Sequence, residues 1–210
     1  MAVTEFWVVR HGRTAANQSG VVQGQSNVPL DELGLRQAEL LAGRLRGESF
    51  DAVYASDLDR AMTTARIAAP GCEIIPDRAL REWNLGAWVG KTVPEVKALF
   101  PEEWDGFVED REGMTVTGGE SRAQLQERVG AFLEEAARRH RGGRVLVVSH
   151  CCVIRVMLRH VLGFSGSWPH QPQIGNVSLS RFLNDGGSWI LGCWNDTSHL
   201  ANCASAPDGY

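Results

Sequence analysis

The sequence predicts an α/β fold: a three-layer sandwich with a mainly parallel central sheet flanked by helices. Three observations lead there. Short apolar, β-branched runs recur along the 210 residues. Segments of helical periodicity alternate with them. Capping boxes and glycine stops bound several of those segments. A chain of this length suits one domain and can bury a sizeable core without staples.

Each element follows in order. Phe6 to Val9 is a buried strand. Leu33, Leu40, Leu41 and Leu45 fall at roughly helical spacing and predict a helix over 33–45. Ala52 to Ala55 reads as a second strand, followed by a helix over 57–69 with Asp57 as its N-cap. Glu73 to Ile75 is a third short strand. Thr92-Val93-Pro94-Glu95 and Ser121-Arg122-Ala123-Gln124 are capping boxes, opening helices to Phe100 and to about His140. Gly142-Gly143 stops the second helix. Arg144 to Ser149 is a buried strand, and Cys151 to Leu162 a helix. Val177 to Phe182 and Trp189 to Trp194 are late strands joined by a turn at Asn184-Asp185-Gly186-Gly187. Residues 83–120 break the alternation. They are rich in Trp, Pro and acids and read as a lid or specificity insertion within a single domain spanning 1–210. Asn202 to Tyr210 carries no pattern and reads as a loose tail.

Composition narrows the function. The formal net charge is −4, whereas nucleic-acid binders usually show a basic excess. No apolar run approaches the roughly 18 residues that span a bilayer, and the start lacks the basic region of a signal peptide. The five cysteines contain no Cys-x-x-Cys pair. A cytoplasmic protein without a disulfide framework is expected.

The chemistry gathers where strands end. In open α/β sheets ligands bind at the carboxyl ends of strands. One strand here runs into Arg10-His11-Gly12-Arg13-Thr14, and another into Ser149-His150 with a helix directly behind. Arginine offers a planar, permanently charged fork suited to phosphate oxygens. A neutral imidazole is nucleophilic near neutral pH. The helix after His150 presents free N–H groups to an anion, and Gly12 allows a tight turn beside it.

These residues resemble the histidine phosphatase superfamily, in the branch related to cofactor-dependent phosphoglycerate mutase. Arg10-His11-Gly12-Arg13-Thr14-Ala15-Ala16-Asn17 is similar to the family's defining motif. Gln23-Gly24, Ser56-Asp57-Leu58-Asp59-Arg60-Ala61, Leu80-Arg81-Glu82, Gly118-Gly119-Glu120-Ser121 and Val148-Ser149-His150 resemble its later ones, in order. The resemblance implies that His11 attacks phosphorus and becomes a phosphohistidine. It implies that Arg10, Arg60 and His150 hold the phosphate oxygens, with Asn17, Gln23 and Gly24 alongside. Glu82 would protonate the leaving oxygen and then activate water. No metal and no cofactor is implied, because the arginines supply the charge. The family usually has glycine where Cys151 stands; the side chain at 151 is expected to point away while its backbone N–H contacts phosphate.

Hydrolysis of a small phosphorylated metabolite is therefore expected, without nucleic acid or membrane as partner; a homodimer stays open at this level. Two other readings compete. A mutase must hold a second anionic group, and the 83–117 stretch carries seven acids (Glu95, Glu102, Glu103, Asp105, Glu109, Asp110, Glu112) against Lys91, Lys97 and Arg111. An acidic lid suits a bisphosphorylated ligand poorly. An inactive phosphate-binding module would have little reason to keep Glu82. Counted from Cys151 or Cys152 beside His150, the Cys-x5-Arg spacing of cysteine-based phosphatases fails, landing on Met157 or Leu158, and Gly-x-Ser-x-Gly and P-loop patterns are absent. Trp83, Trp88 and Trp104 read as core of the insertion, or alternatively as an apolar wall for the leaving group. His199 reads as structural.

Overall fold

Side chains alternate along a strand, and in this sheet both alternating sets are apolar, so both faces must be covered. The computed structural model describes residues 2–109, 111, 113–165, 168, 170–201 and 203. Its strands are β1 (Thr4–Arg10), β2 (Ala52–Ala55), β3 (Ile74–Pro76), β4 (Arg144–Ser149), β5 (Leu179–Asn184) and β6 (Trp189–Asp196). Its helices are α1 (Ala15–Ser19), α2 (Glu32–Arg44), α3 (Asp59–Ala68), α4 (Val93–Leu99), α5 (Pro101–Val108), α6 (Arg122–Arg139) and α7 (Cys151–Val161). Phe6, Val8, Tyr54, Val145 and Val147 face one layer, packed with Phe132 and Leu133 of α6 and Ile154 and Met157 of α7. Trp7, Val9, Val53, Leu146 and Val148 face the other, packed with Leu41 of α2 and Ala61 and Ala65 of α3.

The strand order is β3-β2-β4-β1-β5-β6. The first four pair in parallel. β5 runs antiparallel to β1, and β6 antiparallel to β5. The three-layer, mainly parallel sandwich expected from the sequence is the architecture found. After β1 the chain passes toward α2 on one face. After β4 it enters α7 on the opposite face. A crevice therefore opens between the carboxyl ends of these two neighbouring strands.

Most predicted boundaries fall within two residues of those found. One assignment is corrected. Asp57 does not cap α3; that role falls to Leu58, with no side-chain cap bond. Asp57 instead accepts two hydrogen bonds from Arg81, each 2.6 Å. A carboxylate paired bidentately with an arginine is better satisfied there than on a single N–H. The pair ties the end of β2 to the segment carrying Glu82. Two short helices had no sequence prediction. α1 is one turn, capped by Thr14 with Asn17 in the reciprocal role. α5 begins at Pro101, one residue after α4 ends at the Phe100 cap. The 83–120 stretch thus contains α4, α5 and a 3-10 turn at Gly86–Trp88. Its backbone joins the 20–22 loop, where Val22 N–H donates to Lys91 C=O at 2.8 Å and Gly90 N–H donates to Val22 C=O at 2.9 Å. Apart from Cys203, the predicted tail lies outside the described residues, as do Asp110 and Glu112. Among the described residues no helix is long and apolar enough to cross a membrane.

Candidate active site

Strand register sets the site. Arg10 of β1 lies opposite Ser149 of β4, so His11 and His150 each stand one residue beyond a strand end, side by side. His11 N–H donates to Ser149 C=O at 2.9 Å, and the two imidazoles sit 5.1 Å apart between ring centres. Both are buried.

His11 Nδ1 lies 2.7 Å from the Gly12 carbonyl oxygen. A carbonyl can only accept, so Nδ1 carries the proton and Nε2 keeps its lone pair. Burial, with Arg60 and Arg10 adding repulsion, pushes the His11 pKa well below the usual histidine value. The ring is therefore neutral at neutral pH. His150 is shifted the same way, by burial first and then Arg60, His11 and Arg10. Its Nε2 meets Ser56 Oγ at 2.8 Å, while its Nδ1 is buried with no hydrogen-bond partner.

Arg60 projects from the first turn of α3 and is buried. Its terminal nitrogens donate to Ser26 C=O at 2.7 Å and Gly24 C=O at 2.8 Å, and its Nε has no partner. Burial lowers its pKa to about 10; Glu82 opposes that shift and Arg10 adds to it. Arg60 thus stays charged, and the Glu82 carboxylate reaches it electrostatically. Arg10 donates to Ile174 C=O at 2.6 Å.

Glu82 is buried against the start of α7. Its Oε1 accepts from Trp83 N–H at 2.7 Å and its Oε2 from Cys152 N–H at 3.3 Å. Its carbonyl accepts from Gln25 and Arg128, and Arg128 is held in turn by Glu120 at 2.6 Å. Asn17 Oδ1 accepts from the Thr14 N–H at 3.1 Å, which leaves its amide nitrogen toward the cavity. Gln23 Oε1 accepts from the Thr14 hydroxyl at 3.0 Å.

These groups converge. One cavity is lined by Arg10, His11, Asn17, Gln23, Gly24, Arg60, Glu82 and Cys151 together. Every predicted site residue but His150 is on its wall; His150 stands directly behind, against the His11 ring. Val22, Leu85, Trp88, Val93, Trp104 and Phe107 form its apolar side. Trp88 and Trp104 are thus wall as well as core. Trp83 is core: it is buried away from this cavity and donates to Glu120 C=O at 2.7 Å. The acidic lid of the sequence reading does not face the ligand, because no described acid of 83–117 lines the cavity. Glu95 caps α4, Glu103 accepts from the Trp88 ring N–H at 2.9 Å, and Glu109 pairs with Arg111.

Cys151 is on the cavity wall and is half-buried, packed against the core beneath α7. The bond from Cys152 N–H shows that the 152 amide serves Glu82, leaving the α7 N-terminus at Cys151 facing the crevice. Gly12 has a different role from the one expected. Its φ is not positive; a Cβ there would lie 2.6 Å from the Gly34 carbonyl oxygen. It is glycine because α2 approaches the nucleophile loop. His199 is structural, bonding the Val177 carbonyl through Nε2 at 3.0 Å.

Several contributors lie outside the set of site residues expected from the sequence, although Thr64 and Asn176 both fall in stretches that resemble the family. Ser56 and Thr64 belong to a segment noted only for Arg60. Thr64 accepts from Gly12 N–H at 3.0 Å. Asn176 donates to His11 C=O at 2.9 Å. Val177 takes a positive φ of 57° while buried, a costly conformation for a β-branched residue. It donates to Arg10 C=O at 3.0 Å. Arg155 also lines the cavity; the helical spacing Cys151 to Arg155 was the available signal.

A neutral buried imidazole flanked by two arginines, a second imidazole and a carboxylate, at the strand ends of a doubly covered sheet, is a centre for transfer of an anionic group. The chain belongs to the histidine phosphatase superfamily (branch 1), whose model matches residues 6–197. It is 36% identical over 98% of its length to phosphoglycerate mutase-like protein 4 of Arabidopsis thaliana, covering 91% of that protein. It is 35% identical over 99% of its length to a metal-independent phosphoserine phosphatase of the same plant, covering 88% of it. Among solved structures it resembles a phosphoserine phosphatase variant from Entamoeba histolytica in complex with phosphoserine. The TM-score is 0.86 and the identity 27%, covering 94% of this chain and 99% of that one.

Proposed function

We propose that the protein is a metal-independent phosphomonoesterase that hydrolyses a small phosphorylated metabolite through a phosphohistidine on His11. The observation that carries this is the His11 tautomer: Nδ1 is engaged by Gly12, so the lone pair on Nε2 is available between Arg10 and Arg60.

In the first step the Nε2 lone pair bonds to phosphorus as the P–O ester bond breaks. Glu82, entering protonated, delivers its proton to the departing oxygen. Arg10 and Arg60, the Asn17 amide and the unpartnered His150 Nδ1 take the phosphoryl oxygens, whose charge is spread in the transition state. In the second step water attacks phosphorus, its proton passes to the Glu82 carboxylate, and the N–P bond breaks. Inorganic phosphate leaves and His11 returns neutral. The 83–120 stretch serves as the lid, its apolar wall excluding bulk water. Gln23 and Gly24 hold the near side through Thr14 and Arg60. The five free thiols support a reducing, cytoplasmic setting.

The test is release of phosphate from p-nitrophenyl phosphate with EDTA present. Turnover is expected to persist with EDTA and to vanish in His11→Ala, with an acid-labile, alkali-stable phosphoprotein adduct seen by mass spectrometry after an alkaline quench in wild type alone. The likeness to phosphoglycerate mutase-like protein 4 favours a second reading, a mutase. A mutase would interconvert phosphoglycerates while releasing little phosphate.

A further inference from the structure

Arg155 stands one helical turn after Cys151, on the same face of α7. It lines the cavity that holds His11. It is half-buried, and its Nε donates to the Pro172 carbonyl at 2.9 Å. Its two terminal nitrogens have no hydrogen-bond partner among the described residues, and no carboxylate there pairs with it at ion-pair distance. A guanidinium inside a site, anchored through one nitrogen with the other two left over, is set to receive a ligand anion.

Charge accounting points the same way. The charged groups on the cavity wall are Arg10, Arg60, Arg155 and Glu82. A phosphomonoester dianion matches two of the three arginines, and Arg155 is the third. The rest of the wall from the lid is apolar, so nothing from that side answers it.

Position sets where the second charge lies. Arg10 is anchored on Ile174 C=O and Arg155 on Pro172 C=O. Two residues of backbone span at most about 7 Å. The two anchors therefore hold a phosphate arginine and a distal arginine a short carbon chain apart.

We infer that Arg155 is a specificity-determining residue that binds a carboxylate on the leaving part of the substrate, so that the preferred substrates are short phosphorylated hydroxy acids or hydroxy amino acids rather than neutral phosphate esters. This rests on the phosphatase reading above and narrows its substrate class.

The test compares O-phosphoserine with O-phosphoethanolamine, which lacks only the carboxylate. Wild type is expected to favour O-phosphoserine in kcat/KM by roughly tenfold or more, the worth of a hydrogen bond to a charged group. Arg155→Met is expected to bring that ratio near one, chiefly through KM. Arg155→Lys, which keeps the charge without the fork, is expected to restore part of it. The ratio is taken within one preparation, so a partly misfolded variant does not distort it. A merely structural Arg155 lowers both substrates equally and leaves the ratio at its wild-type value; that result overturns the inference. So does a wild type that turns over both substrates without discrimination. Absence of turnover on either substrate and on p-nitrophenyl phosphate overturns the phosphatase reading, and this inference with it.

Discussion

Glu82 shows how much a single side chain depends on its neighbours' backbone. Its two oxygens are oriented by the Trp83 and Cys152 amides, from two different segments. One holds the start of the lid and the other the first turn of α7. The carboxyl is thereby fixed on the wall of the cavity that His11 also lines. Proton delivery matters in proportion to how poor the leaving group is. Glu82→Gln keeps the shape and the acceptor oxygen but cannot donate a proton. It is expected to slow an alkyl phosphate by roughly 10²-fold or more, and p-nitrophenyl phosphate far less. Steady-state kinetics on both substrates decides it, and equal losses would count against the acid role. Val177 makes the same point about backbone. Its positive φ is held between the Arg10 carbonyl and the His199 ring, beside the arginine of the site.

At the scale of elements, the site depends on how closely α2 approaches the loop after β1. Gly34, in the first turn of α2, leaves no room for a side chain: a Cβ there would lie 2.1 Å from the Arg13 carbonyl oxygen. Gly12 faces it from the other side. Backbone on backbone cannot yield as a flexible side chain can. Gly34→Ala is expected to cost about 1–3 kcal/mol, as overpacking does, measured by urea unfolding. Turnover is expected to fall as well, because Arg13 and Gly12 carry the displacement to His11. The capping boxes at Thr92 and Ser121 act at this scale too. They place the ends of α4 and α6 whatever the rest of the chain does, which is why both were legible as motifs.

Across the whole molecule, burying neutral histidines makes folding depend on pH. His11 and His150 are both lowered well below the ordinary value by burial, and His140 and His199 are lowered in the same direction. The unfolded chain takes up protons near pH 6.5, where the folded chain does not. Stability is thus complete above about pH 6.5 and is lost progressively as pH falls below it. The urea midpoint is expected to drop between pH 7 and pH 5, and His150→Gln is expected to flatten that slope. A midpoint independent of pH would mean that these rings charge without penalty in the fold.

The sequence by itself determined the layers, the strands and helices that build them, and the placing of Arg10, His11 and His150 at strand ends. Those are local properties: periodicity, caps, and residue types suited to phosphate at strand ends. Arg60, Glu82, Asn17 and Gln23 were marked only by the resemblance of their motifs to those of the histidine phosphatase superfamily. Only the tertiary structure decided which lid residues face the cavity. Composition counts the acids of 83–117 without telling their direction, and packing turned the described ones outward while Leu85, Trp88, Trp104 and Phe107 turned in. It alone decided that Asp57 serves Arg81 rather than a helix start, that Gly12 answers Gly34, and that Arg155 shares a cavity with His11. Each of these is a contact between segments far apart along the chain, and spacing within one segment carries no information about its partner in another.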